Sequence, residues 1–166
     1  MSELYMIRHG QASFGEENYD RLSPLGVMQA EITARHWVRI GRKIDAIYVG
    51  SMRRQIDTAG ALISAYKEKQ LPVPKIISDE SFDEYDSASI FENQLPGMIK
   101  ENPSIPEKLA DIYTNKRSFQ HLFEKAMNRW VSGTCDMPGV VTWRGFTERV
   151  IKGVRQIMQV PVSYTH

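Results

Sequence analysis

Apolar residues recur along the chain in two spacings, short unbroken runs and stripes of helical period, and the two alternate. Residues 4–7 form an apolar run that ends directly at Arg8-His9-Gly10, the pattern of a buried strand that carries polar residues at its C-terminal end. Ser23-Pro24 then supplies a hydroxyl N-cap and a first-turn proline. The amphipathic stretch that follows runs to about Ile40, with Gly41 as its stop. Residues 44–49 are a second apolar run, and beyond it Ile56, Ala59, Ile63 and Tyr66 recur at helical spacing. Pro72 and Pro74 precede a short strand at Lys75-Ile76-Ile77, which leads into an acidic loop over residues 79–86.

Residues 93–106, with three prolines and a glycine, read as an inserted loop. Across residues 107–131, Phe119, Leu122, Phe123, Ala126, Met127 and Trp130 share one helical face and are assigned to packing. A last helix is expected over residues 143–158, with Phe146, Val150, Val154 and Ile157 on one side. Strands alternating with helices predict an α/β fold: three layers, α/β/α, around a mostly parallel central sheet. Ligands of such sheets bind beyond the carboxyl ends of the strands, which is where residues 8–10 fall.

Composition narrows the class. A chain of 166 residues, 42% hydrophobic and 25% charged, is the size and balance of one globular domain, placed here at residues 1–161. A net charge of +1 offers no general field for nucleic acid, so neither nucleic acid nor membrane is an expected partner. The N-terminus lacks the pattern of a signal peptide, and no stretch approaches the roughly 20 apolar residues of a membrane span. The lone cysteine, Cys135, reads as a loop thiol and suits a reducing, cytoplasmic setting.

Arg8-His9-Gly10 is the sharpest chemical feature, because imidazole beside guanidinium suits attack on a phosphorus surrounded by anionic oxygens. Gly10 permits a sharp turn that brings backbone amides toward a phosphate. Gln11 and Ser13 are loop residues that fit either a phosphate loop or plain solvation. The expected ligand is a small phosphorylated substrate. No metal or other cofactor is expected, since no closely spaced His, Asp or Cys cluster stands out.

Three segments in order resemble the histidine phosphatase, or phosphoglycerate-mutase-like, superfamily. They are Arg8-His9-Gly10 with Leu22-Ser23-Pro24-Leu25-Gly26 and Gln29-Ala30, then Gly50 to Ala59, then Phe82-Asp83-Glu84. The resemblance implies that His9 is the nucleophile, that Arg54, four residues before Thr58-Ala59, binds phosphate with Arg8 and Gly10, and that Glu84 is the proton donor. Shielded among acidic and aromatic neighbours, Glu84 is expected to stay protonated. The implied activity is hydrolysis of phosphate monoesters through a phosphohistidine. The alternatives are a phosphomutase, or a non-catalytic module of the same fold that binds a phosphate ligand or a protein. Arg53, His36 and His121 are assigned to surface or packing roles, and Asp83 and Asp86 to a solvated acidic loop.

The superfamily usually carries a second histidine on a later strand, which this chain barely reaches. Residues 162–166, Val-Ser-Tyr-Thr-His, are what transposon adapter ends used in DNA library preparation encode. The expectation is a truncated member, cut near Pro161, with its last strand or strands missing and a non-native tail at 162–166.

Overall fold

The computed structural model of the chain describes residues 3–13, 19–105 and 116–159. It divides into two compact units, Met1–Glu84 with Arg155–His166, and Tyr85–Val154. The expected non-native tail at 162–166 lies outside the described residues.

In the first unit, helix α1 spans Pro24–Arg39, and the Ser23 hydroxyl accepts the Gly26 amide as its N-cap. Gly41, just past its end, has φ +64°, a left-handed conformation that glycine reaches without strain and that stops the helix. Strand β1, Ala46–Val49, leads into helix α2, Arg53–Glu68, and strand β2, Lys75–Ser78, follows. The strands pair in parallel, Ala46 opposite Lys75 and Val49 opposite Ser78. The helix between them is the crossover that a parallel pair requires. Helices α1 and α2 pack along each other, and the small side chain of Ala34 lets Leu62, Ala65 and Tyr66 close a core completed by Trp37, Ile44 and Ile47. The protein is thus α/β with parallel pairing, and among the described residues the sheet has two strands.

Residues 4–7 depart from expectation: they form no strand, and Met6 is 83% exposed. A strand exists only where a neighbour takes its amides and carbonyls, and among the described residues none does so for this segment. Side chains tether the segment instead, with Tyr5 edge-on to Trp37 at 4.8 Å and Glu3 paired with Arg42 at 3.0 Å. Burial of the run was expected from its composition, which says nothing about whether a partner strand is at hand.

The second unit corrects the loop reading of residues 93–106. Most of it is helix α3, Ser87–Glu101, with Pro96 inside. The Asp86 side chain caps this helix by accepting the Ser89 amide at 3.0 Å, so Asp86 is not merely solvated. Burial of Ile90, Gln94 and Met98 on one face outweighs the loss of one helical hydrogen bond at the proline. Helix α4, Lys116–Ser132, presents Leu122 and Ala126 to Met98 and Ile105 in a shared core, as the stripe of apolar residues requires. The part of that expected helix at 107–115 lies outside the described residues. Helix α5, Trp143–Gln159, runs through the division at Arg155; only Gly153 is buried, and the stripe Phe146, Val150, Val154 and Ile157 is half-buried. Among the described residues no helix is long and apolar enough to cross a membrane.

Candidate active site

The first unit brings His9, Arg54 and Glu84 together around one nitrogen. Helix α2 begins where the parallel pair ends, so its first turn, with Arg54, lies at the carboxyl end of β1. Two hydrogen bonds, Ser13 amide to Arg21 carbonyl at 2.8 Å and Ser23 amide to Gln11 carbonyl at 2.9 Å, pin together the two arms of the loop after His9. Ser13 is buried within this pairing, while the Gln11 side chain accepts the Ser23 hydroxyl at 3.0 Å.

Gly10 earns its place through closeness. A Cβ there would lie 2.2 Å from the Gly26 carbonyl oxygen, so the chain can cross the first turn of α1 only without a side chain. Its amide donates to the Thr58 hydroxyl at 3.1 Å, and that hydroxyl donates to the Arg54 carbonyl at 2.8 Å. The Gly10 amide is therefore already engaged.

His9 Nδ1 lies 2.6 Å from the Gly10 carbonyl oxygen, which can only accept, so Nδ1 carries a proton. In the neutral ring the lone pair then resides on Nε2, which accepts the Arg54 Nε hydrogen at 3.2 Å. Glu84 Oε1 is 2.9 Å from the same Nε2 and becomes its partner when the ring is an imidazolium. The two contacts serve two protonation states of one nitrogen.

Arg54 is the hub, with only 6% of its side chain exposed. Its Nη1 donates to Asp20 and its Nη2 to Glu84, each at 2.8 Å, and its guanidinium lies over the Tyr19 ring at 5.4 Å. Desolvation opposes its charge, but Glu84 and then Asp20 outweigh burial and raise its pKa further.

Glu84 is held by its neighbours along the chain. Gln55 donates to the Phe82 carbonyl at 2.8 Å, and Ser51 gives its amide and hydroxyl to the Asp83 carboxylate at 2.5 and 2.7 Å. Asp83 is therefore a clamp on the entry to α2, a correction to its reading as a solvated acid. Gly50 leaves room for it, since a Cβ there would meet Asp83 Oδ1 at 2.5 Å.

The expectation of a protonated Glu84 is also corrected. Burial pushes its carboxyl up, but the hydrogen bond and charge of Arg54, followed by those of His9, bring it below the usual glutamate range. A lowered folded-state value contributes stability that is present above the ordinary value and lost as pH falls through the lowered one. Thermal stability is therefore expected to drop on acidification below about pH 4.3, the ordinary glutamate value, and to drop less in Glu84→Gln. Melting temperatures of both proteins across that window check this, and parallel curves would count against it. The effect will be modest and salt-sensitive, because the Glu84 side chain is 43% exposed.

Arg8 is exposed and has no hydrogen-bond or ion-pair partner among the described residues, which leaves its guanidinium uncommitted. Arg53 points outward to Asp57 at 2.8 Å. His36 contacts Arg39 at 3.2 Å, and His121 is exposed on α4. Sequence reasoning missed Asp20, and it treated Thr58 only as a spacing marker.

A family model described as the histidine phosphatase superfamily (branch 1) matches residues 4–108, more than half of the chain. The chain belongs to the histidine phosphatase superfamily. Membership supports phosphatase-type or mutase-type chemistry in general.

Proposed function

We propose that the protein hydrolyses phosphate monoesters through a phosphohistidine on His9. The observation that carries this reading is the convergence on His9 Nε2. A lone pair oriented by the Nδ1 contact faces the most buried guanidinium of the site and a carboxyl group. Phosphoryl transfer asks for in-line positioning and charge neutralisation, and these groups supply both.

A substrate phosphate competes with Glu84 for Arg54 and, with Arg8 beside His9 in the chain and unpaired among the described residues, meets two guanidinium groups whose planar forks suit its oxygens. Taking Arg54 away removes what holds Glu84 ionised, and the arriving negative charge pushes its carboxyl up again, so it takes a proton from solvent. His9 Nε2 then attacks phosphorus as the ester P–O bond breaks, and Glu84 gives its proton to the leaving oxygen. Water attacks the phosphohistidine, the Glu84 carboxylate takes its proton, and inorganic phosphate departs with His9 restored.

His9→Ala is expected to abolish turnover of p-nitrophenyl phosphate, and quenched reactions of the unaltered chain are expected to contain an acid-labile, base-stable phosphoryl group on His9. Mass spectrometry after alkaline quench reads it. Turnover that survives in His9→Ala would remove the nucleophile; phosphate binding without any phosphohistidine would point to a binding module instead.

A further inference from the structure

The residue that ties the site together from outside the three motifs is Asp20. Helix α2 begins at Arg53, and its N-cap, Met52, makes no side-chain cap hydrogen bond. The first amides of a helix lack partners within it. Asp20, from the loop before α1, supplies them: Oδ2 accepts the Arg53 amide at 2.8 Å, and Oδ1 accepts the Arg54 amide at 3.4 Å. The same Oδ1 accepts Nη1 of Arg54 at 2.8 Å. One carboxylate thus grips a single arginine at both its backbone and its guanidinium, which leaves its rotors little freedom.

Two carboxylates share this guanidinium, yet their situations differ. Glu84 touches Arg54 and His9 through its carboxylate alone and is free to leave when a phosphate arrives. Asp20 is fastened to two amides of the helix that carries Arg54, so it moves with that arginine. We propose that Asp20 is a positioning residue: it retains the Nη1 edge of Arg54 throughout and so presents the Nη2 and Nε edges to the phosphoryl group. This rests on the phosphatase reading above.

A second acid close to a phosphate site repels the dianion, so Asp20 weakens ground-state binding while it orients Arg54 for the transition state. A cap alone would show no such split. The test compares the full chain with D20N, D20E and D20N/M52D, the last restoring a carboxylate cap at position 52 with no reach to the guanidinium edge. With p-nitrophenyl phosphate, kcat in D20N is expected to fall about tenfold to a hundredfold while KM stays level or drops. D20E, which keeps the charge, is expected to recover part of kcat. In D20N/M52D the melting temperature is expected to return without kcat.

If kcat returns together with stability in the double variant, Asp20 is a cap only. Unchanged kcat in D20N overturns the proposal directly, whether or not the double variant folds. Both results leave the phosphatase reading standing, whereas absence of His9-dependent turnover in the unaltered chain overturns that reading and this assignment with it.

Discussion

Arg54→Ala is expected to lower turnover of p-nitrophenyl phosphate by about a thousandfold or more, the scale seen when an arginine that stabilises a transferring phosphoryl group is removed. The size follows from its position. Arg54 contacts His9, Glu84 and Asp20 at once, so on the phosphatase reading its loss removes the charge proposed to receive phosphate and leaves the Glu84 and Asp20 carboxylates without the cation they share. Folding should suffer less than catalysis, because Asp20 and Glu84 are each 43% exposed and water can solvate them. Glu84 provides a second reading of the same variant. Burial remains when the guanidinium is gone, so its carboxyl should move back up, visible in a carbon-13 NMR titration of the side chain. Arg54→Lys keeps a charge but cannot reach three partners in one plane, and it should fall between the two. Turnover within about threefold of the unaltered chain in Arg54→Ala would exclude phosphate binding by Arg54 in catalysis.

What could be read in advance follows from how local each signal is. Ser23, Pro24 and Gly41 act on their own helix, so the start and stop of α1 were legible, as was the apolar face of α4. On α2 only Ala59 and Tyr66 of the expected stripe are buried; Ile56 is exposed, and Leu62 and Ala65 join Tyr66 in the core instead. His9, Arg54 and Glu84 were legible because each sits in a motif with its own spacing. Asp20, Thr58, Gln55 and Asp83 were not, since each works on a partner far along the chain and nothing in its immediate neighbours reports that partner. Residues 93–101 misled because two local signals, Pro96 and Gly97, disfavour a helix that burial of Ile90, Gln94 and Met98 nevertheless stabilises. Residues 4–7 misled in the opposite way: the local pattern favours a strand, and strand formation depends on a neighbour that the pattern does not contain.

Gly10→Ala should be a strongly damaging small substitution, and the reason is steric. The new methyl would meet the Gly26 carbonyl oxygen at 2.2 Å and the Gly26 carbonyl carbon at 2.8 Å, and these are backbone atoms that no rotamer change moves away. Nor can Gly26 retreat easily, because its amide is held by Ser23 Oγ at 3.0 Å, and the Ser23 amide in turn is held by the Gln11 carbonyl at 2.9 Å. The chain must therefore move at position 10, and with it go the Thr58 contact and the carbonyl that orients His9. Overpacking of this kind is expected to cost about 3 kcal/mol, or roughly 10 °C in melting temperature for a chain of this size. Turnover should fall even in the fraction that stays folded, since the His9 lone pair loses its alignment. Gly60→Ala makes the control. Gly60 lies within α2, a Cβ there would meet nothing within 4 Å, and alanine is the better helix former, so this variant should gain about 0.5–1 kcal/mol. The same methyl group added at two glycines should thus shift stability in opposite directions. A melting temperature for Gly10→Ala within about 2 °C of the unaltered chain would show that the crossing at Gly26 is looser than its distances imply.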